Sequence, residues 1–143
     1  DAGEILDLIR RACAASAVMY ADPALPPLAE SLEEHRARYR THIVLKATAP
    51  DGSIVGSVQG RLQDDGTCYV ARLAVDPAAH GQGVGRALAR AIESEFPDAN
   101  RFTLFTGQLN ASSLGLYRSL GYREVRRERA SDRLTLVWLE KTR

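Results

Sequence analysis

Residues 76–88 read DPAAHGQGVGRAL, with glycines at alternate positions 81, 83 and 85, and the character of the chain changes across this run. Before it, Leu73-Ala74-Val75 closes an apolar stretch of strand type. After it, Val84, Leu88, Ile92 and Phe96 recur every four residues, which gives a helix with a buried stripe. Glycine permits positive φ and lets a backbone approach a ligand closely. The first amides of a helix have no intrahelical acceptor, and the helix dipole adds partial positive charge there, so such a turn can hold an anion, phosphate above all. The same glycines can also serve only to make a tight strand-to-helix turn. A nucleoside-triphosphate loop needs Gly-Lys-Ser/Thr, but Arg86-Ala87 follows Gly85. A dinucleotide fingerprint needs a third glycine. From Gly81 that place holds Arg86, and from Gly83 it holds Leu88.

The rest of the pattern limits the fold. Ile5, Leu6, Leu8, Ile9 and Ala12 predict an opening amphipathic helix. Residues 20–27, with Pro23, Pro26 and Pro27, read as a loop, and a charged, mostly solvated helix is expected from about Leu28 to Arg40. Strands are expected over about His42–Thr48, Ile54–Leu62 and Cys68–Val75. The breaks at Asp51-Gly52 and Asp64-Asp65-Gly66 make them an antiparallel meander. After the glycine turn come a helix (about Val84–Phe96), a strand (about Arg101–Thr106) and a helix from near Asn110 to a C′ glycine at Gly121. Two last strands, about Tyr122–Arg127 and Leu134–Glu140, flank Ala130-Ser131-Asp132. Strand, helix, strand implies one parallel pair with a right-handed crossover. The expected class is α+β: a mixed, mostly antiparallel sheet flanked by helices, in one domain spanning residues 1–143.

Composition excludes several functions. A formal net charge of +1 provides no general field for nucleic acid or an anionic membrane. No apolar run approaches the ~20 residues of a membrane span. Arg123, Arg126, Arg127, Arg129 and Arg133 are interrupted by Glu124, Glu128 and Asp132, and read as a self-neutralising strand face. Cys13 and Cys68 form no disulfide framework. They read as small buried hydrophobes in a reducing, cytoplasmic compartment. No His/Cys grouping has ligand spacing, so no metal is expected. His35 and His42 read as ordinary surface or strand-end residues.

The series Leu73-Ala74-Val75-Asp76-Pro77, Gly81-Gln82-Gly83-Val84-Gly85-Arg86, and Asn110 with Leu116-Tyr117-Arg118-Ser119-Leu120-Gly121-Tyr122 resembles the GNAT superfamily of N-acetyltransferases, in order and spacing, over essentially the whole chain. The family normally has a strand before its first helix, and none is present here. Where its motif usually opens with Arg or Gln, this chain has His80. The resemblance implies that the central parallel strands splay apart at a bulge and admit acetyl-CoA. It implies main-chain contacts from Leu73, Ala74 and Val75 to the pantetheine arm. The amides of Gly81, Gln82, Gly83, Val84, Gly85 and Arg86 would hold the pyrophosphate. The Arg86 side chain is either a further phosphate contact or a solvated first-turn residue. Asn110 is a cofactor contact, a helix cap, or both. Tyr117 is the general acid for the departing thiolate, or a core tyrosine.

The acceptor implied is a small-molecule or peptide amine. An amine of lysine type has a pKa of ~10.4, so near pH 7 its proton holds back attack by roughly 4 kcal/mol. Many relatives place a glutamate early in the meander's last strand, where this chain has Tyr69. Others place one five residues before the asparagine, where this chain has Phe105. Water, Tyr69, a carboxylate of Glu30–Glu34 or a low-pKa amine are the alternatives. A non-catalytic acyl-CoA-binding module is therefore the competing reading. Met19, Tyr20, Leu25 and Leu28 are candidates for the acceptor pocket, with Asp22 for a cation. A homodimer is compatible with the sequence.

Overall fold

The computed structural model describes residues 1–20 and 30–143, and the side chains of residues 15–20 fall outside that description. The prolines of the expected loop and the acceptor-pocket candidates Asp22, Leu25 and Leu28 lie outside the described residues, as do the Met19 and Tyr20 side chains.

Helix α1 (Ala2–Tyr20) buries Ile5, Leu8 and Ile9 in a cluster with Ile54 and Ala74 of the sheet. Helix α2 (Leu32–Arg38) begins later than the expected Leu28, because Ser31 caps it. Ser31 Oγ accepts from Glu34 N at 3.1 Å while Ser31 N donates to Glu34 Oε1 at 3.0 Å, the reciprocal capping box. His35 on this helix corrects the expectation of a surface residue. It is wholly buried, with Nε2 3.0 Å from Tyr39 Oη and Nδ1 3.7 Å from Glu30 Oε2.

The strands are β1 (Ile43–Thr48), β2 (Ile54–Leu62), β3 (Thr67–Val75), β4 (Arg101–Gly107), β5 (Arg123–Arg129) and β6 (Thr135–Thr142). They form one sheet in the order β1-β2-β3-β4-β6-β5. Every pair is antiparallel except β3 with β4, as the pattern predicted. Gly52 and Gly66 close the meander turns at φ 88° and 84°. Helix α3 (Val84–Ser94) crosses between the parallel strands, and α4 (Ala111–Ser119) precedes β5. Helix α3 stops short of the expected Phe96 because Pro97 disfavours helical backbone at the residue before it.

One face of the sheet carries the main core. Val58, Val70, Phe102, Leu104, Val137 and Leu139 meet Leu88 and Ile92 of α3 and Leu114 and Tyr117 of α4. Burying Leu88 and Ile92 contributes roughly 1.5–3 kcal/mol each. Helix α3 can come this close because β2 offers glycines beneath it. A Cβ on Gly56 would lie 2.7 Å from Leu88, and one on Gly60 would lie 2.6 Å from Phe96 and 2.9 Å from Ile92. On exposed β5 three of the arginines are paired: Arg126 with Glu128, Arg127 with Glu124, and Arg129 with Asp132. Among the described residues, no helix is long and apolar enough to cross a membrane.

Candidate active site

Strands β3 and β4 pair only at Thr67–Arg101, Cys68–Phe102 and Tyr69–Thr103. Beyond Tyr69, β3 runs on to Val75 and β4 to Gly107 with no ladder between them. The separation coincides with a β-bulge. Against β2, Ala74 faces Ser57 but Ala71 faces Gln59, so two residues of β3 oppose one of β2. Arg72 sits in that bulge at φ 55° and, among the described residues, is the one non-glycine with positive φ. Asp76 N donates to Val55 O at 2.8 Å, and Ala74 pairs with β2. By the two-residue period of a strand, Leu73 and Val75 direct their main-chain groups to the open side.

The opening leads to a cleft of about 550 Å³. Arg72, Leu73, Ala74 and Val75 form one wall, Asn110, Ser112, Ser113 and Leu116 another, and Ile9, Ala12 and Cys13 of α1 a third. The glycine turn closes the end, through His80, Gly81, Gly83, Val84, Gly85 and Arg86. Most of the predicted cofactor residues are thus brought together. Gln82 and Tyr117 do not line the cleft.

The local geometry of the turn follows from its sequence. Asp76 caps the 3-10 turn Pro77–Ala79, its Oδ1 accepting from Ala78 N at 2.9 Å, and this hydrogen bond holds its carboxyl below the usual range. Arg11 Nη2 donates to Asp76 Oδ2 at 3.2 Å and ties α1 to the turn. Gly81 and Gly83 both have φ 80°, and Gly83 is the N-cap of α3 without a side-chain acceptor for its amides. Among the described residues, the first amide after His80 to find a carbonyl is that of Ala87, to Gly83 O at 3.0 Å. A Cβ on Gly81 or Gly83 would meet nothing within 4 Å, and both glycines line the open cleft. Free amides, the dipole of an eleven-residue helix and that space fit a diphosphate.

The side chains around the turn are engaged. His80 Nε2 lies 3.1 Å from Val75 O, and Arg86 Nη2 donates to Ser119 Oγ at 2.8 Å. Asn110 caps α4, Oδ1 accepting from Ser113 N at 3.2 Å, while also lining the cleft. Tyr117 is buried one helical turn beyond Ser113, edge-on to Tyr122 with ring centroids 5.6 Å apart. Burial pushes its phenol well above the ordinary tyrosine value and so keeps it protonated.

Sequence reasoning missed two groups. Cys13 was read as a buried hydrophobe, but it is half-buried on the cleft wall, its thiol raised by burial and pulled back by Arg72. Tyr69, Phe105 and Trp138 form an aromatic wall on the sheet face opposite α3. Ring centroids lie 6.4 Å apart for Tyr69–Phe105, 6.2 Å for Tyr69–Trp138 and 4.9 Å for Phe105–Trp138, and Arg126 stands 4.4 Å over Trp138. The alternation within each strand could have placed these rings on one face, but pairing across β3, β4 and β6 is not written in local sequence.

The profile of the acetyltransferase (GNAT) family matches residues 6–122. The chain belongs to that family. Its fold is shared by the ribosomal-protein-S18-alanine N-acetyltransferase of Escherichia coli, with TM-score 0.79, 21% identity, and 99% of this chain and 87% of that one covered. A protein of Klebsiella pneumoniae described as a candidate acyl-CoA N-acyltransferase aligns with TM-score 0.70 and 26% identity over 97% of this chain and 89% of that one. The PaiA N-acetyltransferase of Thermoplasma acidophilum, solved in complex with coenzyme A, aligns with TM-score 0.74 and 16% identity over 100% of this chain and 93% of that one.

Proposed function

We propose that this protein transfers an acetyl group from acetyl-CoA to a primary amine by direct attack within a ternary complex. The observation that carries the reading is the continuity of one cleft from the bared amides of Gly81–Arg86 to the unpaired edge of β3. Gly81, Gly83, Gly85 and their neighbours hold the diphosphate. Leu73 and Val75 offer strand-type hydrogen bonds to an amide-bearing arm. His80 already occupies one lone pair of the Val75 carbonyl, so the second must serve. Asn110 adds a polar contact where the splayed strands end.

Acetyl-CoA would supply a thioester: the amine nitrogen bonds to its carbonyl carbon, the C–S bond breaks, and sulfur departs with the electron pair. Tyr117 holds a proton for that sulfur in a phenol that burial keeps neutral. No carboxylate occupies the sites of Tyr69 and Phe105; water, Tyr69, a carboxylate of Glu30–Glu34 or an amine of low pKa would take its place. The two free thiols, Cys13 and Cys68, favour a reducing, cytoplasmic setting.

The test is acetyl-CoA with a mixed amine panel, followed by thiol release. Turnover on at least one amine is expected. A folded protein that acetylates none contradicts the reading. One observation favours the alternative, a non-catalytic acyl-CoA-binding module: Tyr117 lies behind the cleft lining rather than in it. That module binds CoA in calorimetry, releases no thiol with any amine, and is indifferent to Tyr117→Phe.

A further inference from the structure

Arg72 combines three unusual properties. It adopts φ 55°, which opposes a side chain of its size by ~1 kcal/mol or more. It lines the cleft, and its charge acts on Tyr69 of the aromatic wall, whose three rings lie outside the cleft lining. Its Nε is buried without a hydrogen-bond partner, and among the described residues no carboxylate pairs with its guanidinium. Glu30 is the carboxylate whose charge reaches it, but no ion pair joins the two: Glu30 Oε1 is held by Arg38, and Oε2 is buried 3.7 Å from His35 without a hydrogen bond. An arginine does not escape burial by losing its proton, so a positive charge lines the cleft with no ion pair among the described residues.

Other unfilled groups occupy the same sheet face. Gln59 is wholly buried with neither amide atom hydrogen-bonded, and its register partner on β3 is Ala71, next to Arg72. Trp138 Nε1 is buried and unpaired in the aromatic wall. Buried polar groups are normally satisfied, and a cluster left open beside a cleft is fit for a ligand's polar atoms. The unpaired cation sets the sign of that ligand. A simple amine arrives as an ammonium and meets Arg72 with like charge. An amine that also carries a carboxylate presents a matching anion to a guanidinium shaped to receive it.

Resting on the acetyltransferase reading, we propose that the acceptor is an amine bearing a carboxylate near its nucleophilic nitrogen, and that Arg72 receives this carboxylate while Tyr69, Phe105 and Trp138 contact the acceptor's apolar part. Arg72 is thus a specificity-determining residue set by the bulge.

The experiment compares leucine, phenylalanine and glutamate with their C-terminal amides, and with a dipeptide whose second residue is aspartate, at saturating acetyl-CoA. The wild type is expected to use the free acids with at least tenfold higher kcat/KM than the amides, mainly through KM. The dipeptide arm tells a peptide side-chain carboxylate from an α-carboxylate. Arg72→Asn keeps a residue that tolerates positive φ and removes the charge, so the acid-to-amide ratio should fall towards one. Arg72→Lys should retain part of it. A wild-type ratio near one, or a ratio unaltered in a folded Arg72→Asn, overturns the proposal. So does a loss of CoA affinity in that variant with the ratio retained, since Arg72 would then serve the cofactor. If no amine is acetylated, the same pairs are titrated calorimetrically into CoA-saturated protein. Tenfold tighter binding of the acids supports this subsite while the transferase reading fails, and equal or undetectable binding overturns both.

Discussion

Gly85 and Leu116 meet at the cleft: a Cβ on Gly85 would stand 3.3 Å from Leu116 Cδ2, and 3.6 Å from Val75 Cγ2. Helix α3 therefore begins close against α4 and β3, and even a methyl at Gly85 would press on Leu116. Gly85→Val should displace Leu116 and narrow the cleft. Gly83→Val forces a β-branched residue to φ 80° and puts its methyls before the amides. Each variant should weaken CoA binding at least tenfold in calorimetry, or about 1.4 kcal/mol. Wild-type affinity in a folded variant would remove the diphosphate from this turn.

Tyr117→Phe keeps the ring that packs edge-on against Tyr122 and deletes only the hydroxyl. If that hydroxyl protonates the leaving sulfur, kcat should fall by roughly a hundredfold or more while KM and melting temperature change little. Steady-state kinetics beside a thermal melt decide it. An unchanged kcat assigns the residue to packing alone.

The approach of α3 to β2 gives a stability prediction. Gly60→Ala places a methyl 2.6 Å from Phe96 and 2.9 Å from Ile92, the latter wholly buried. Ile92 cannot move without opening the core, so the substitution should destabilise the protein by about 1–3 kcal/mol in urea unfolding. A Gly60→Ala protein as stable as wild type would mean the helix slides freely on the sheet.

Burial is the leading cause that holds both His35 and His42 below the ordinary histidine value of 6.5; for His35, attraction to Glu30 partly opposes it. The unfolded chain then binds more protons than the folded one between the folded and unfolded values. Stability is full above pH 6.5 and declines as pH drops through the folded values. Urea midpoints should therefore decrease from pH 7.5 towards 5, more steeply in wild type than in His35→Gln. Equal slopes would show that His35 is not held neutral by its surroundings.

Much of this was readable in one dimension. The β2 limits, the glycine cap of α3, the Asn110 cap of α4 and the parallel β3–β4 pair each follow from local period or turn chemistry. The bulge was expected only through family resemblance, and nothing in Ala71-Arg72-Leu73 marks Arg72 as its apex. Register decides it, since Ser57 and Gln59 of β2 must both find partners across an extra residue. The buried state of His35 was hidden as well. A short charged helix reads as solvated, although the partners of the His35 ring, Glu30 and Tyr39, are themselves close in sequence. Local sequence does not show what Gly56 and Gly60 are for: only the packing of α3 onto β2 leaves no space for a Cβ at either.

The brevity of the β3–β4 ladder has a mechanical consequence. Two half-sheets, β1-β2-β3 and β4-β6-β5, are stitched by a seam of three residue pairs, with the remaining backbone bonds of each edge facing a gap. A guest that carries its own amides into that gap acts as a temporary extra strand and lengthens the seam. Amide exchange at Leu73 and Val75 should then report how tightly the two halves are clasped.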